Sequence, residues 1–578
     1  MATIDSYPVL DFSGGIRRDV GPSELRRNEV LDARNLHLDE KGRVITRLGS
    51  QQLGNTLSGT IENSFFFSTV DSGVGSTLYG SLIVNDLNIS STGFNILQGK
   101  ALTADVAVGD TTISVTSTGT LAASGNVEIE GDLISYTGNT GTSLTGVSGI
   151  SSSHLSGAPI HQWVTLSLPS QVDARSGVSY AVLNDILYFQ GLGHGMKSMT
   201  FPLGVATVAD VSGEPSCYLL ANYRDRLYTT GDGPNVTPKR ILFSARGNGG
   251  SWTTTSDFFE VEDQTGEFVR GLKVFSDTLG IFKDSRIYTY NEIELKQRIP
   301  DVGAYSHKVI QEVDGKLYTF CPTGIFVTNL FSAKSIGEPV KEFFRNFTPI
   351  YDTDYYRLCT NAHAWVYDHS YFLYISDITV PTVTNDVVLE YDTRREAWTV
   401  HDGGFTNFVH VNNFAVGRFG VQPTVSSYAI LTHRPILIGG DSSGKVWRLN
   451  ENRFLSLSQV VVGGDVFVDR RSNTGSPISS VLELQMYDLT HPELFKQFKD
   501  LRVLTESGQW NIEYRIEDEK GISPYRPLGS VSTTNVVLAF PSEAQGWSCG
   551  LRITGISSNA QRTLNGVIFE NTGVIKRR

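Results

Sequence analysis

The sequence predicts an all-β chain, on three observations: a residue palette suited to strands and tight turns, an apolar hairpin phrase that recurs through the middle of the chain, and the near-absence of helix-length periodicity. In the palette, Gly 57, Phe 30 and Tyr 23 stand beside Met 4. Aromatic and β-branched residues fit pleated, half-buried surfaces, and glycine supplies the positive φ of hairpin turns. Hydrophobic residues at 40% against 19% charged are ordinary for a globular protein, and 578 residues exceed what one core usually serves, so several domains are expected.

The recurring phrase is an apolar hairpin with an Asp- or Gly-rich turn and a Tyr or Trp on its second strand. It reads Val182-Leu183-Asn184-Asp185-Ile186-Leu187-Tyr188-Phe189, then Asn222-Tyr223-Arg224-Asp225-Arg226-Leu227-Tyr228, then Phe275-Ser276-Asp277-Thr278-Leu279-Gly280-Ile281-Phe282. It returns at Val313-Asp314-Gly315-Lys316-Leu317-Tyr318, at Tyr391-Asp392-Thr393-Arg394-Arg395-Glu396-Ala397-Trp398 and at Gly440-Asp441-Ser442-Ser443-Gly444-Lys445-Val446-Trp447. Hairpins spaced at roughly 40 to 50 residues with no long helix between them are the mark of β-propeller blades. Residues 166–450 have room for about six or seven irregular blades, with a bulky aromatic residue filling the wide outer part of each wedge.

Around this core the texture changes. Residues 97–165 turn to Gly, Ser, Thr and Val with alternation in Thr112-Ile113-Ser114-Val115 and Asn126-Val127-Glu128-Ile129, which predicts a small inserted β-module. Past residue 450 come longer alternating strands such as Ser480-Val481-Leu482-Glu483-Leu484 and Asn511-Ile512-Glu513-Tyr514-Arg515, read as a C-terminal β-sandwich. The expected division is 1–96, an N-terminal arm with the first propeller strands; 97–165, the module; 166–450, the propeller; and 451–578, the sandwich. Short helices are expected at 336–345, 23–31 and 490–499, the last capped by Thr490 and Glu493.

A formal charge of -12 and no basic run argue against a dedicated nucleic-acid binder, though an acidic wall suits a conduit that must not hold DNA. Cys217, Cys321, Cys359 and Cys549 are too scattered for a zinc knuckle or a disulfide framework and are expected as buried thiols. Residues 1–8 lack the features of a leader, and no apolar run nears the roughly 18 residues of a membrane span, so no membrane insertion and folding in a cytoplasm are expected.

No catalytic, cofactor-binding or metal residue is singled out, and no cofactor is expected. Ser244-Ala245-Arg246-Gly247-Asn248-Gly249-Gly250-Ser251-Trp252 resembles the Asp-box of sialidase-type propellers with Arg246 in place of the Asp, and that box is structural. The segment at Gly440 has the wrong spacing for a P-loop and reads as a blade turn. The 11 histidines form no H-x-x-x-H pair, and His363, His369 and His401 sit in aromatic strand context that predicts packing. The closing Lys576-Arg577-Arg578 is read as a solvated tail.

The opening, Asp11-Phe12-Ser13-Gly14-Gly15, then Pro22, Asn28-Glu29, Asn35 and Arg47-Leu48-Gly49, resembles the N-terminus of tail nozzle proteins (tail tubular protein B-like) of short-tailed bacteriophages. The Tyr391 to Trp398 and Gly440 to Trp447 phrases look like those of phage tail propellers, and the module, with Gly109-Asp110-Thr111-Thr112-Ile113 and a later Ile-Ser-Tyr-Thr strand, is similar to a recurrent phage-tail add-on. The resemblance implies a non-enzymatic structural protein of the virion tail, a homohexameric ring beneath portal and adaptor proteins. It would carry tail fibres or spikes and a plug or needle protein, and pass genomic DNA without sequence-specific binding. The alternatives are a receptor-binding or baseplate propeller recognising host glycans, and a sialidase-like glycoside hydrolase.

Overall fold

In the computed structural model, the described residues are 3–39, 41–47, 50–71, 77–88, 91–166, 168–169, 178–191, 195–200, 207–215, 219–230, 239–261, 266–351, 359, 361–367, 369–377, 385–402, 407–411, 436–441, 443–449, 468–469, 476–557 and 562–575. The architecture is almost entirely β, built as many sheets. Helix among the described residues is limited to 3-10 turns at His307–Val309 and Glu338–Phe343, the second lying inside the 336–345 stretch. None of the described helices is long and apolar enough to cross a membrane.

The recurring phrase folds as read. In four successive hairpins both turn residues take positive φ: Asn184 and Asp185 at 51° and 59°, Arg224 and Asp225 at 46° and 59°, Ser276 and Asp277 at 46° and 56°, and Asp314 and Gly315 at 48° and 70°. This two-residue turn matches the right-handed twist of the strands it joins, and Asn, Asp and Gly reach it at little cost.

The hairpins belong to consecutive antiparallel sheets. Sheet I comprises Thr60–Asp71, Thr77–Asn88, Ser91–Ala101 and Pro159–Thr165. Sheet II comprises Val178–Leu183, Ile186–Gly191, Lys197–Thr200 and Thr207–Asp210. Sheet III comprises Leu220–Tyr223, Arg226–Thr230 and Arg240–Ala245, the last paired with Asn248–Trp252 and Phe258–Glu260. Sheet IV runs from Val269–Phe275 to Leu295–Pro300 and sheet V from Gln311–Val313 to Ala333–Ser335. Sheet VI comprises Ala362–Tyr367, Ser370–Asp377, Asn385–Asp392 and Ala397–Asp402. Sheet VII takes Asn407–Val411, Ile436–Gly440 and Val446–Leu449 from the end of the array and its fourth strand, Ser50–Gln52, from the N-terminal side.

Among the described residues, sheets I to IV share cores with their neighbours. Phe94 and Ile96 of sheet I pack with Val178, Leu187 and Phe189 of sheet II. Leu183 and Tyr188 of sheet II pack with Leu220 and Leu227 of sheet III, and Tyr223, Tyr228 and Ile241 of sheet III with Leu272, Leu279 and Ile281 of sheet IV. Between sheets VI and VII, Trp365 and Phe372 meet Trp447. The first strands touch in the same order: Thr60–Asp71 lies against Val178–Leu183, that strand against Leu220–Tyr223, and that against Val269–Phe275. The turn His307–Val309 contacts both Val269–Phe275 and Ala362–Tyr367, and Asn407–Val411 contacts both Ala362–Tyr367 and Thr60–Asp71.

The inserted segment leaves sheet I after Ala101 and returns at Pro159, residues that face each other across two antiparallel strands. Between them, Thr112–Ser114, Ser143–Thr145 and Gly138–Thr140 form a three-stranded sheet, and Gly125–Ile129 with Asp132–Tyr136 extends sheet I. Ile113, Val115, Val127, Ile134, Leu144 and Val147 fill a core whose members, among the described residues, all lie between Leu102 and Ile160.

The remaining strands form an eight-stranded sheet and a group that continues sheets VI and VII into one 16-stranded sheet, and in both the ends of the chain interleave. Thr563–Val574 pairs with Asp500–Ser507 and with Thr3–Val9, register Val9↔Val567 and Thr3↔Gly573. Ser476–Tyr487 lies between Glu29–Arg34 and Ser548–Ser557. One core joins Val9, Phe12 and Val30 to Leu482, Trp510, Ile553 and Phe569, and continues to Leu317 of sheet V and Trp398 of sheet VI.

Two helix expectations are corrected. Residues 23–31 run through turns into the strand Glu29–Arg34, where Val30, Asp32 and Ala33 pair with Leu484, Glu483 and Leu482, and sheet pairing outweighs a weak local helix signal. In 490–499, Leu489 and Thr490 at φ 51° and 67° block a helix, and Lys496–Gln497 is a short strand against Thr563–Val574. The buried Lys496 Nζ donates to the carbonyls of Leu494 and Trp547 at 2.8 Å each, which ties this bend to its neighbour. Cys321, Cys359 and Cys549 are buried free thiols, as expected; Cys217 and residues 576–578 lie outside the described residues.

Candidate functional site

Among the described residues, a cluster of two histidines and a glutamate sits where the N-terminal segment meets sheet VI. The Tyr391 to Trp398 hairpin sets its register, with Tyr391 opposite Trp398 and Glu390 opposite Thr399. Period-2 alternation then brings His401, two residues beyond Thr399, to the same face as Glu390. His37, in the strand Leu36–Leu38, supplies the third member.

Glu390 Oε2 lies 2.9 Å from His37 Nδ1 and 2.7 Å from His401 Nε2, and accepts from Thr399 Oγ1 at 3.1 Å; Oε1 accepts from Ser370 Oγ at 2.8 Å. The imidazoles of His37 and His401 stand 5.0 Å apart, centre to centre. Glu390 and His401 are buried, and His37 is partly open to solvent. Burial works against the Glu390 charge, yet His37 and His401 hold its carboxyl well below the usual range, and burial lowers His401 below the ordinary histidine value. A carboxylate so fully engaged is a poor general base. Two imidazoles and a carboxylate, all within 4.8 Å of one another, are instead the donor set of a transition-metal ion.

A second cluster lies in the module. His154 Nδ1 meets Glu130 Oε2 at 2.9 Å and Nε2 meets Asp132 Oδ2 at 3.1 Å, with the ring almost wholly buried. Asp132 also accepts from the backbone N–H and hydroxyl groups of Ser151 and Ser152. Burial opposes the His154 charge, but the two carboxylates outweigh it and raise its pKa; burial likewise opposes the Asp132 charge, and the serine donors outweigh it and lower its pKa. The arrangement is a saturated structural knot beside the turn at Glu130, whose φ is 49°.

The hairpin turns are latches as well as bends. Arg224 of sheet III forks onto both Asp277 oxygens of sheet IV at 3.1 and 2.6 Å and donates to the Asn291 carbonyl at 3.0 Å, while Asn184 of sheet II donates to the Gly247 carbonyl of sheet III at 2.8 Å. Asp314 of sheet V meets His369 Nδ1 at 2.7 Å and accepts from Thr393 Oγ1, both of sheet VI. Sequence reasoning found the conformational role of these residues and missed the latching, which needs the neighbouring sheet in view.

The Asp-box-like phrase at Ser244 closes by other bonds: Trp252 Nε1 donates to the Gly249 carbonyl, and Arg246 reaches Glu292 at 2.8 and 2.9 Å. At Gly440 the turn reading holds: Asp441 Oδ1 accepts from the backbone of Ser443 and Lys445, and Oδ2 accepts from Trp447 Nε1 at 2.7 Å. His363 and His401 are buried in sheet VI, and His369 is partly exposed at a turn. Gathering His37 with Glu390 and His401 was beyond local spacing, although the Glu390 and His401 pair was implicit in the hairpin register.

No protein-family model matches the chain, and no curated protein matches it. Among solved structures it is similar to the computationally designed Ika8 protein (11% identity, 69% of this chain and 99% of that one, TM-score 0.32) and to BamB from Moraxella catarrhalis (12%, 71% and 99%, TM-score 0.29). It is also similar to an exo-beta-1,3-galactanase from Phanerochaete chrysosporium (9%, 69% and 96%, TM-score 0.23). Likenesses at these scores determine neither a closed fold nor a function.

Proposed function

We propose that sheets I to VII close into a seven-bladed β-propeller and that the protein is a structural component of a short-tailed bacteriophage tail, a nozzle through which DNA leaves the virion. The observation that carries the closure is the strand Ser50–Gln52, which comes from before sheet I and completes sheet VII, so both ends of the array are tied into one sheet. The circuit of contacts among first strands supports the same reading, as do the cores placed between sheets. Closure removes exposed sheet edges and gives every blade two neighbours.

The tail reading rests on this scaffold together with the N-terminal and blade phrases that resemble nozzle proteins. The working form is a homohexamer beneath portal and adaptor, with fibres or spikes at its rim and a plug or needle protein closing the lumen. Its action is mechanical, without a covalent step or a cofactor. The net charge of -12 suits a passage that must release phosphate and not retain it. Imaging of the purified chain mixed with portal–adaptor complexes is expected to give a sixfold ring at the tail end. A chain that stays monomeric and does not join those complexes sinks the proposal.

One observation favours a second reading, a receptor-binding propeller: the module folds around its own core at the end of sheet I, as an exchangeable binding graft does. Glycan-array binding by the full chain, lost when residues 102–158 are replaced by a tight turn, would establish it.

A further inference from the structure

We propose that His37, Glu390 and His401 bind one divalent transition-metal ion of the zinc class, which staples the N-terminal strand Leu36–Leu38 to sheet VI. The donor chemistry selects the ion class: two imidazole nitrogens with one carboxylate suit zinc, cobalt or nickel, whereas magnesium and calcium are held by oxygen.

The surroundings are those of ligands held in place. Ser370 Oγ engages Glu390 Oε1 and Thr399 Oγ1 engages Oε2, so the carboxylate is oriented by two hydroxyls from adjacent strands. Among the described residues the buried His401 Nδ1 has no hydrogen-bond partner, so none of them fixes the tautomer of the ring from its far side. Moving the proton to Nδ1 leaves the Nε2 lone pair directed at the centre of the cluster. His37 lies on the partly open side, where water can complete a fourth position.

Binding exchanges hydrogen bonds for coordination. The nitrogen to oxygen separations of 2.9 and 2.7 Å must widen to about 3.3 Å, the spacing of tetrahedral ligands at metal bonds of about 2.0 Å. His37 can yield with the three-residue strand Leu36–Leu38, and the His401 separation widens by side-chain rotation within sheet VI, where both residues are held on paired strands. The ion would also neutralise a buried carboxylate whose cross-strand partner is the apolar Phe372. The consequence is architectural: the N-terminal segment, whose strand Glu29–Arg34 pairs with Ser476–Tyr487, is fastened to the propeller side of the molecule at a point of N/O coordination.

The test uses the full chain, stripped with a chelator and titrated with cobalt(II), then with zinc(II). The expected result is one equivalent of cobalt with visible d–d absorption that zinc abolishes, and a higher thermal midpoint with zinc bound. His37→Ala, a change at a partly exposed position, is expected to weaken binding by at least about tenfold while leaving the circular dichroism spectrum unchanged. Glu390→Gln is expected to weaken it likewise, and His369→Ala, at the Asp314 latch, is expected to leave it unaltered. A wild-type chain that takes up no cobalt, or one whose uptake survives His37→Ala and falls with His369→Ala, overturns the proposal and leaves the cluster as a hydrogen-bonded joint.

Discussion

The module and the repeated sheets are made of the same material and are stabilised in opposite ways. Both are short antiparallel strands turning on Asx and Gly residues. The module closes a hydrophobic core within residues 102–160, whereas sheets II, III and IV place theirs between one sheet and the next. The contrast teaches that strand content alone does not define a folding unit; the position of the buried area does. A unit with an internal core can be inserted or lost without disturbing its host, and units that share cores stand or fall together.

Four measurements bear on that contrast, in order of expected effect. Trp398→Ala removes a buried ring whose indole N–H donates to the Ile336 carbonyl at 2.8 Å, bridging sheet VI to the segment after sheet V; it is expected to cost about 3–5 kcal/mol in urea unfolding and to loosen several sheets at once. Loss of protection confined to sheet VI would break the comparison. Leu144→Ala, at a fully buried site in the module core, is expected to cost about 2–4 kcal/mol locally, with hydrogen exchange accelerated in residues 102–158 and unchanged in sheets II to IV. Acceleration across the chain would mean that the module is not autonomous.

The third measurement is pH. His154, raised above its ordinary 6.5, stabilises the module fully below pH 6.5 and less as pH climbs through the raised value; Asp132, lowered from 3.8, contributes above pH 3.8 and loses its effect as pH falls through the lowered value. Module protection, corrected for intrinsic exchange, is therefore expected to be greatest between pH 3.8 and 6.5 and to fade on the alkaline side. His154→Asn should flatten the alkaline fall while sheets II to IV keep their own profile. The smallest effect belongs to Asp314→Ala, which releases an exposed latch between sheets V and VI and is expected to cost no more than about 1 kcal/mol, less at high salt.

Much of the fold was legible because it is local. The turn pairs Asn184-Asp185 and Asp314-Gly315, the Tyr391 to Trp398 hairpin and the alternation of the module strands each depend on residues within a few positions of one another, and all appear where the sequence puts them. The expected helices at 23–31 and 490–499 failed for the complementary reason: their weak local signals competed with pairing to Ser476–Tyr487 and Thr563–Val574, strands far along the chain. Of the candidate site, the Glu390 and His401 half was implicit in hairpin register, and His37 was not.

By itself the sequence determined an all-β chain and the places where its hairpins turn, because backbone preference and period-2 alternation act over a few residues. Tertiary structure alone decided that Thr3–Val9 pairs with Thr563–Val574, that turn residues latch neighbouring sheets, and that His37 meets Glu390 across 353 positions. Contacts of that kind arise from burial and register between distant strands, and no residue carries a local mark of the partner it will find.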